Sequence, residues 1–102
     1  FALAVTYPGA GNIGGGGFML SRNIDGKLIG IDFREAAPSK GHRDMYLDEK
    51  GNPSNTLSRD GASASGIPGS VAGMFEVLKY ATLPMSKLIQ PAIELAANGY
   101  VI

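Results

Sequence analysis

The chain reads as an α+β fold, and three features carry that expectation. A hairpin pattern runs from Phe18 to Arg34. A stretch without clear period follows, from Ala36 to Ser65. Two segments with helical spacing then close the chain. A length of 102 residues allows one domain or a piece of one.

Taken in order, Phe1–Tyr7 is apolar and fits either the end of a helix or a short buried strand. Pro8 and Gly9 end it in both cases. Gly9–Gly17 carries six glycines. Such a tract costs conformational entropy, so it belongs where backbone turns sharply or approaches something closely. Phe18–Arg22 reads as a strand, and Leu28–Arg34 as its return. Ile29, Ile31 and Phe33 fall on one face of the return strand, and Gly30, Asp32 and Arg34 on the other.

Asp25-Gly26 is a strong hairpin signal of the type I′ kind. With these two as the turn, Leu20 sits opposite Ile31, Phe18 opposite Phe33, and Gly17 opposite Arg34. A residue with no side chain would then leave open space beside the guanidinium. A one-residue slip would destroy that arrangement.

In the aperiodic stretch, Asp44–Asp48 reads as a short strand or turn and Glu49–Asn52 as a turn. A stretch of this length without structure is long for a compact domain, and it points to a loop lying over a larger body. Pro68-Gly69-Ser70 is a helix start. Val71, Met74, Phe75 and Leu78 follow it at i, i+3, i+4, i+7. A second helix starts near Pro84. Its buried stripe is Met85, Leu88, Ile89, Ala92, Ile93 and Ala96, and Gly99 stops it. Pro91 should bend or split it.

Nine basic and nine acidic residues cancel, which argues against nucleic acid as a partner. With no cysteine, the chain holds no disulfide, zinc–thiolate site or cysteine nucleophile. No apolar run approaches the roughly 18 residues of a membrane span. No signal segment is legible, and both ends look cut from a longer protein.

Gly9-x-Gly11-x-x-Gly14 matches the dinucleotide fingerprint in letters. That fingerprint requires a helix after the glycines, and here a strand pattern follows. His42 is the sole histidine and sits in a polar loop, so it reads as a solvated side chain. Gly61–Gly66 does not spell a nucleophile elbow. Asp32 and Glu35 point to opposite faces of a strand end, so paired acid–base work is disfavoured against an ion pair with a neighbouring cation. Arg34 is either half of a structural ion pair or a bidentate anchor for a carboxylate, for which the planar guanidinium is well suited. The flanking glycines favour the second.

Four stretches together resemble the large subunit of gamma-glutamyltransferase (gamma-glutamyl transpeptidase) of bacterial type. They are AVTYPGAGNIGGGGFML at Ala4–Leu20, IDFREAAP at Ile31–Pro38, SGIPGSVAGM at Ser65–Met74, and TLPMSKLIQPAIELAANGYVI at Thr82–Ile102. They span nearly the whole chain, and the resemblance implies that residues 1–102 are a fragment of that subunit and a single incomplete domain.

The resemblance implies a partial N-terminal nucleophile hydrolase, part of an αββα sandwich, here a hairpin, a long loop and two helices. It implies a precursor that cuts itself into large and small subunits. The new N-terminal threonine of the small subunit attacks gamma-glutamyl amides such as glutathione. Water, an amino acid or a peptide then takes the glutamyl group from the acyl-enzyme. It implies that Arg34 binds the alpha-carboxylate of the glutamyl group, with Glu35 in support. No catalytic residue lies in this chain, no cofactor or metal is called for, and the fragment alone is expected to be inactive. The small subunit is the implied partner, and the periplasm or exterior the implied location.

Two other readings accompany it. Relatives of the same fold include cephalosporin or glutaryl acylases and capsule-processing transpeptidases. A non-catalytic anion-binding or structural module is the third.

Overall fold

The computed structural model describes residues 1–101. Ile102, the last residue of the Thr82–Ile102 stretch, lies outside the described residues. The elements in chain order are α1 (Ala2–Thr6), β1 (Phe18–Arg22), β2 (Leu28–Asp32), α2 (Asn55–Arg59), α3 (Ser70–Val77) and α4 (Met85–Asn98). Short 3-10 turns cover Ala62–Ala64 and Leu78–Tyr80. The chain is therefore α+β. The residues group into two compact units, Ala36–Ile67 and the remainder on either side of it.

In the larger unit, β1 and β2 form an antiparallel hairpin. Its register differs by one residue from the sequence expectation. Phe18 pairs with Asp32, Met19 with Ile31 and Leu20 with Gly30. Gly17 and Phe33 extend the ladder by exchanging both hydrogen bonds, at 3.3 and 2.9 Å. The cause lies in the turn. A type I′ turn needs positive φ at both central residues, and only Gly26 has it, at 83°. The Gly26 N–H instead donates to the Asn23 carbonyl, and the Asn23 N–H to the Lys27 carbonyl, both at 2.9 Å. This is a three-residue loop, a type I turn closed by a left-handed glycine. The Asp25 carboxylate accepts the Lys27 N–H at 3.0 Å and holds the loop in shape.

The extra loop residue moves every β1 side chain to the other face. Met19 and Ser21 now share the half-buried face with Ile29, Ile31 and Phe33. Phe18, Leu20 and Leu28 lie exposed on the face of Asp32. Gly17 is thus not opposite Arg34, and the open space expected there does not exist. The place of a Gly17 side chain is taken by the Phe33 ring.

Helices α3 and α4 stand where the apolar spacing placed them, but of the expected α4 stripe only Ala92 is buried, Ile93 and Ala96 being exposed, and α3 buries Ser70 and Gly73. Pro84 takes the N-cap position of α4, and Gly99 follows its end with φ 74°. Pro91 sits inside α4 without splitting it. The amide it lacks would have met the Lys87 carbonyl, and both residues are exposed, so water can take that carbonyl. Phe1–Tyr7 resolves as helical, and the Tyr100 hydroxyl donates to the Thr6 carbonyl at 3.1 Å, tying α1 to the chain beyond α4.

The smaller unit holds more structure than a long loop. Ala36 and Ile67 close its base by exchanging backbone bonds at 3.1 and 2.8 Å. Ser54 caps α2 by accepting the Leu57 N–H. The expected turn stands at Asp48–Asn52, with Gly51 at φ 80°. The Tyr46 hydroxyl reaches the Ser63 carbonyl at 3.0 Å.

Burial is sparse. Ala92 is the buried apolar side chain among the described residues, and Phe75, Val71 and Ile93 are about half exposed. The accessible area is 8050 Å². A folded monomer of 10.6 kDa exposes about 5,500 Å². These elements therefore bury much less surface than a self-sufficient domain of this mass.

Candidate functional site at the end of strand β2

Arg34 stands two residues beyond β2, and its backbone is held from several directions. The Arg34 N–H donates to the Asp32 carboxylate at 3.0 Å, an Asx turn that bends the chain out of the strand. Next to it, Phe33 is fixed by its two bonds to Gly17. The Phe33 ring fills the space that side chains at Gly17 and Gly73 would need. A Cβ at Gly69 would strike the Phe33 carbonyl oxygen. A Cβ at Gly16 would lie 2.7 Å from Arg34 Cα. The glycines are thus occupied by close backbone and ring contacts.

The Arg34 side chain is exposed, and its guanidinium carbon lies 5.9 Å from the centroid of the Phe18 ring. That is within reach of a cation–π contact. It exists because of the shifted register, which puts Phe18 on the face of Asp32 and Arg34. Among the described residues, the ion pairs are Arg43–Asp44 and Lys79–Glu76. The expected ion pair of Asp32 or Glu35 with a neighbouring cation is absent from these. Asp32 instead accepts a backbone bond. The Glu35 carboxylate turns to the glycine loop, 3.5 Å from where a Cβ on Gly15 would be. What the arrangement offers is a planar fork of donors on a fixed backbone, suited to a carboxylate.

The other candidates resolve as the sequence expects. The glycine run leads into β1 and no helix, so dinucleotide geometry is missing. At the start of α3, the Gly69 and Ser70 amides are also taken up, both donating to the Gly15 carbonyl at 3.0 Å. His42 accepts the Asp44 N–H at 3.3 Å within its own exposed turn. No group of three metal-ligating side chains occurs among the described residues. An apolar groove of about 340 Å³, lined by Val5, Met74, Phe75, Met85, Ile89 and Ile93 among others, carries no charged side chain.

Sequence reasoning missed Phe18 beside Arg34 and the contacts of Gly69, Ser70 and Gly73 with the site. The four-residue spacing of Gly69 and Gly73 on one helix face was an available signal of close approach. Nothing local marked their partner as Phe33.

The sequence profile of the family described as Gamma-glutamyltranspeptidase matches residues 1–102. This chain belongs to the gamma-glutamyltranspeptidase family. It is 53% identical over 103 residues to the glutathione hydrolase proenzyme of Escherichia coli K12, covering all of this chain and 18% of that protein. It superposes on Helicobacter pylori gamma-glutamyltranspeptidase with a TM-score of 0.92 and 54% identity, covering 99% of this chain and 29% of that one. Against Bacillus anthracis transpeptidase CapD the TM-score is 0.73 and the identity 34%, over 99% and 29% of the two chains. The chain thus spans about a fifth of the length of its curated gamma-glutamyltranspeptidase relatives. Its α+β architecture is the corresponding part of their N-terminal nucleophile hydrolase fold. None of its helices is long and apolar enough to cross a membrane, among the described residues.

Proposed function

We propose that this chain is part of the large subunit of a gamma-glutamyltransferase and glutathione hydrolase. In this role it contributes Arg34 as the anchor for the alpha-carboxylate of a gamma-glutamyl donor. The observation that carries the proposal is the exposed Arg34 guanidinium on a locked backbone. It has no ion-pair partner among the described residues, in a chain that matches the family along its whole length. Glu35 supports the arginine from the next position, its carboxylate lying beside Gly15.

The complete protein is a precursor that cuts itself into two subunits. The small subunit supplies an N-terminal threonine, which attacks the gamma-glutamyl amide with its own amine as base. Water, an amino acid or a peptide amine resolves the acyl-enzyme. The large area left exposed here, with the apolar groove, is the face against which the rest of the polypeptide packs. The segment is one incomplete domain and inert alone. The mature enzyme works in the periplasm or outside the cell.

Substituting Arg34→Lys in the full-length enzyme tests the proposal. The bidentate contact is lost, which is worth about 1.5–3 kcal/mol, so donor KM rises or kcat/KM falls sharply while self-cleavage continues. Unchanged kinetics would sink the assignment.

The second reading, a capsule-processing transpeptidase or acylase, draws on the superposition with CapD, where identity is lower. A donor panel separates the two. A gamma-glutamyltransferase prefers gamma-glutamyl donors, and an acylase prefers glutaryl donors that lack the alpha-amine.

A further inference from the structure

We propose that Gly16, Gly69 and Ser70 act as a positioning clamp on the Phe33–Arg34 peptide and thereby set the selectivity of the site for donors bearing an alpha-carboxylate. This rests on the role proposed for Arg34 and names what holds that residue in place.

The geometry is a closed set of backbone contacts. A Cβ on Gly16 would fall 2.7 Å from both Arg34 Cα and the Phe33 carbonyl oxygen, and 2.8 Å from the Glu35 nitrogen. A Cβ on Gly69 would strike that same carbonyl and lie 2.8 Å from the Arg34 oxygen. Two backbone segments, one from the glycine loop and one from the start of α3, therefore close on a single peptide unit. Any side chain at either position is excluded by backbone, which cannot swing away as a side chain does.

The two segments are also bonded to each other. The Gly69 and Ser70 amides both donate to the Gly15 carbonyl at 3.0 Å. The Ser70 hydroxyl, buried at 4% exposure, donates to the Asn12 carbonyl at 3.0 Å. The Gly73 face of α3 then receives the Phe33 ring. Arg34 can hold a carboxylate in the attack geometry only if its Cα is fixed, because a misplacement near 1 Å costs on the order of 100-fold in rate. The glycine run supplies that fixing through shape.

The test compares two donors in the full-length enzyme, gamma-glutamyl-p-nitroanilide and 4-aminobutyryl-p-nitroanilide, which is the same acyl group without the alpha-carboxylate. The readout is the ratio of their kcat/KM values. Gly16→Ala should lower that ratio by about tenfold, chiefly through KM of the gamma-glutamyl donor. General structural damage lowers both values together and leaves the ratio alone, and that result overturns the clamp. Should Gly16→Ala yield no folded enzyme, Ser70→Ala, which adds no atoms, is read the same way. A ratio lowered about threefold supports the clamp, and a wild-type ratio overturns it. Arg34→Ala, run alongside, separates the two levels. If the ratio survives its removal, the role of Arg34 fails and the clamp falls with it. A ratio lost in Arg34→Ala but kept in Gly16→Ala overturns the clamp alone.

Discussion

The Arg34 guanidinium lies over the Phe18 ring, 5.9 Å from its centroid, across the two strands of the hairpin. The contact exists because Phe18 pairs with Asp32, so its ring shares the face on which Arg34 emerges. An exposed cation–π contact is worth about 0.5–1 kcal/mol. Phe18→Leu in the full-length enzyme should therefore raise donor KM about two- to fivefold, while Phe18→Tyr stays near wild type. Steady-state kinetics with a gamma-glutamyl donor check this. Equal KM for all three proteins would remove Phe18 from the site.

Gly26 sets the register that brings Phe18 there. Its φ of 83° is left-handed, where a side chain costs about 1–2 kcal/mol. Gly26→Ala should lower the melting temperature, and Gly26→Asn should lower it less, since asparagine tolerates this region. Thermal unfolding of the three proteins measures the order. Gly26→Ala as stable as wild type would contradict the three-residue turn.

The turn at Asp48 should loosen in acid. Its carboxylate accepts the Asn52 N–H at 2.8 Å and the Lys50 N–H at 2.9 Å. These bonds, that from Asn52 first, hold its pKa below the ordinary carboxylate value. A depressed folded-state pKa means stability that is present above the unfolded pKa and lost as pH falls through the folded one. Hydrogen exchange of the amides at 50–52, corrected for intrinsic rates, should show protection at neutral pH that disappears in that acidic window. Asp48→Asn should flatten the dependence. Protection independent of pH in wild type would contradict the assignment.

Much of the fold was legible because it rests on local signals. The spacing of Met85, Leu88, Ile89 and Ala92 marked α4, and Pro84 and Gly99 marked its ends. The strand pattern after Gly17, which forms β1, excludes a dinucleotide site from the sequence alone. The hairpin register was not legible. Two-residue and three-residue loops share the Asp-Gly signal, and only the φ of Asp25 distinguishes them. Helix α2 was overlooked because its single turn lacks an apolar period and is marked only by the Ser54 cap. At the site, Arg34 was visible as a cation at a strand end beside glycines. Its surroundings were not, because Gly69 and Gly73 meet Phe33 across more than thirty residues of sequence, and no local pattern encodes such a contact.

The most direct test of the central claim is donor discrimination in the full-length enzyme before and after Arg34→Ala. The measured quantity is kcat/KM for gamma-glutamyl-p-nitroanilide over that for 4-aminobutyryl-p-nitroanilide. A charged, bidentate contact that is truncated while its partner carboxylate stays in the site should cost about 2–5 kcal/mol. The ratio should therefore collapse by at least about thirtyfold in Arg34→Ala, with self-cleavage of the precursor intact. A ratio unchanged from wild type would mean that Arg34 does not hold the alpha-carboxylate.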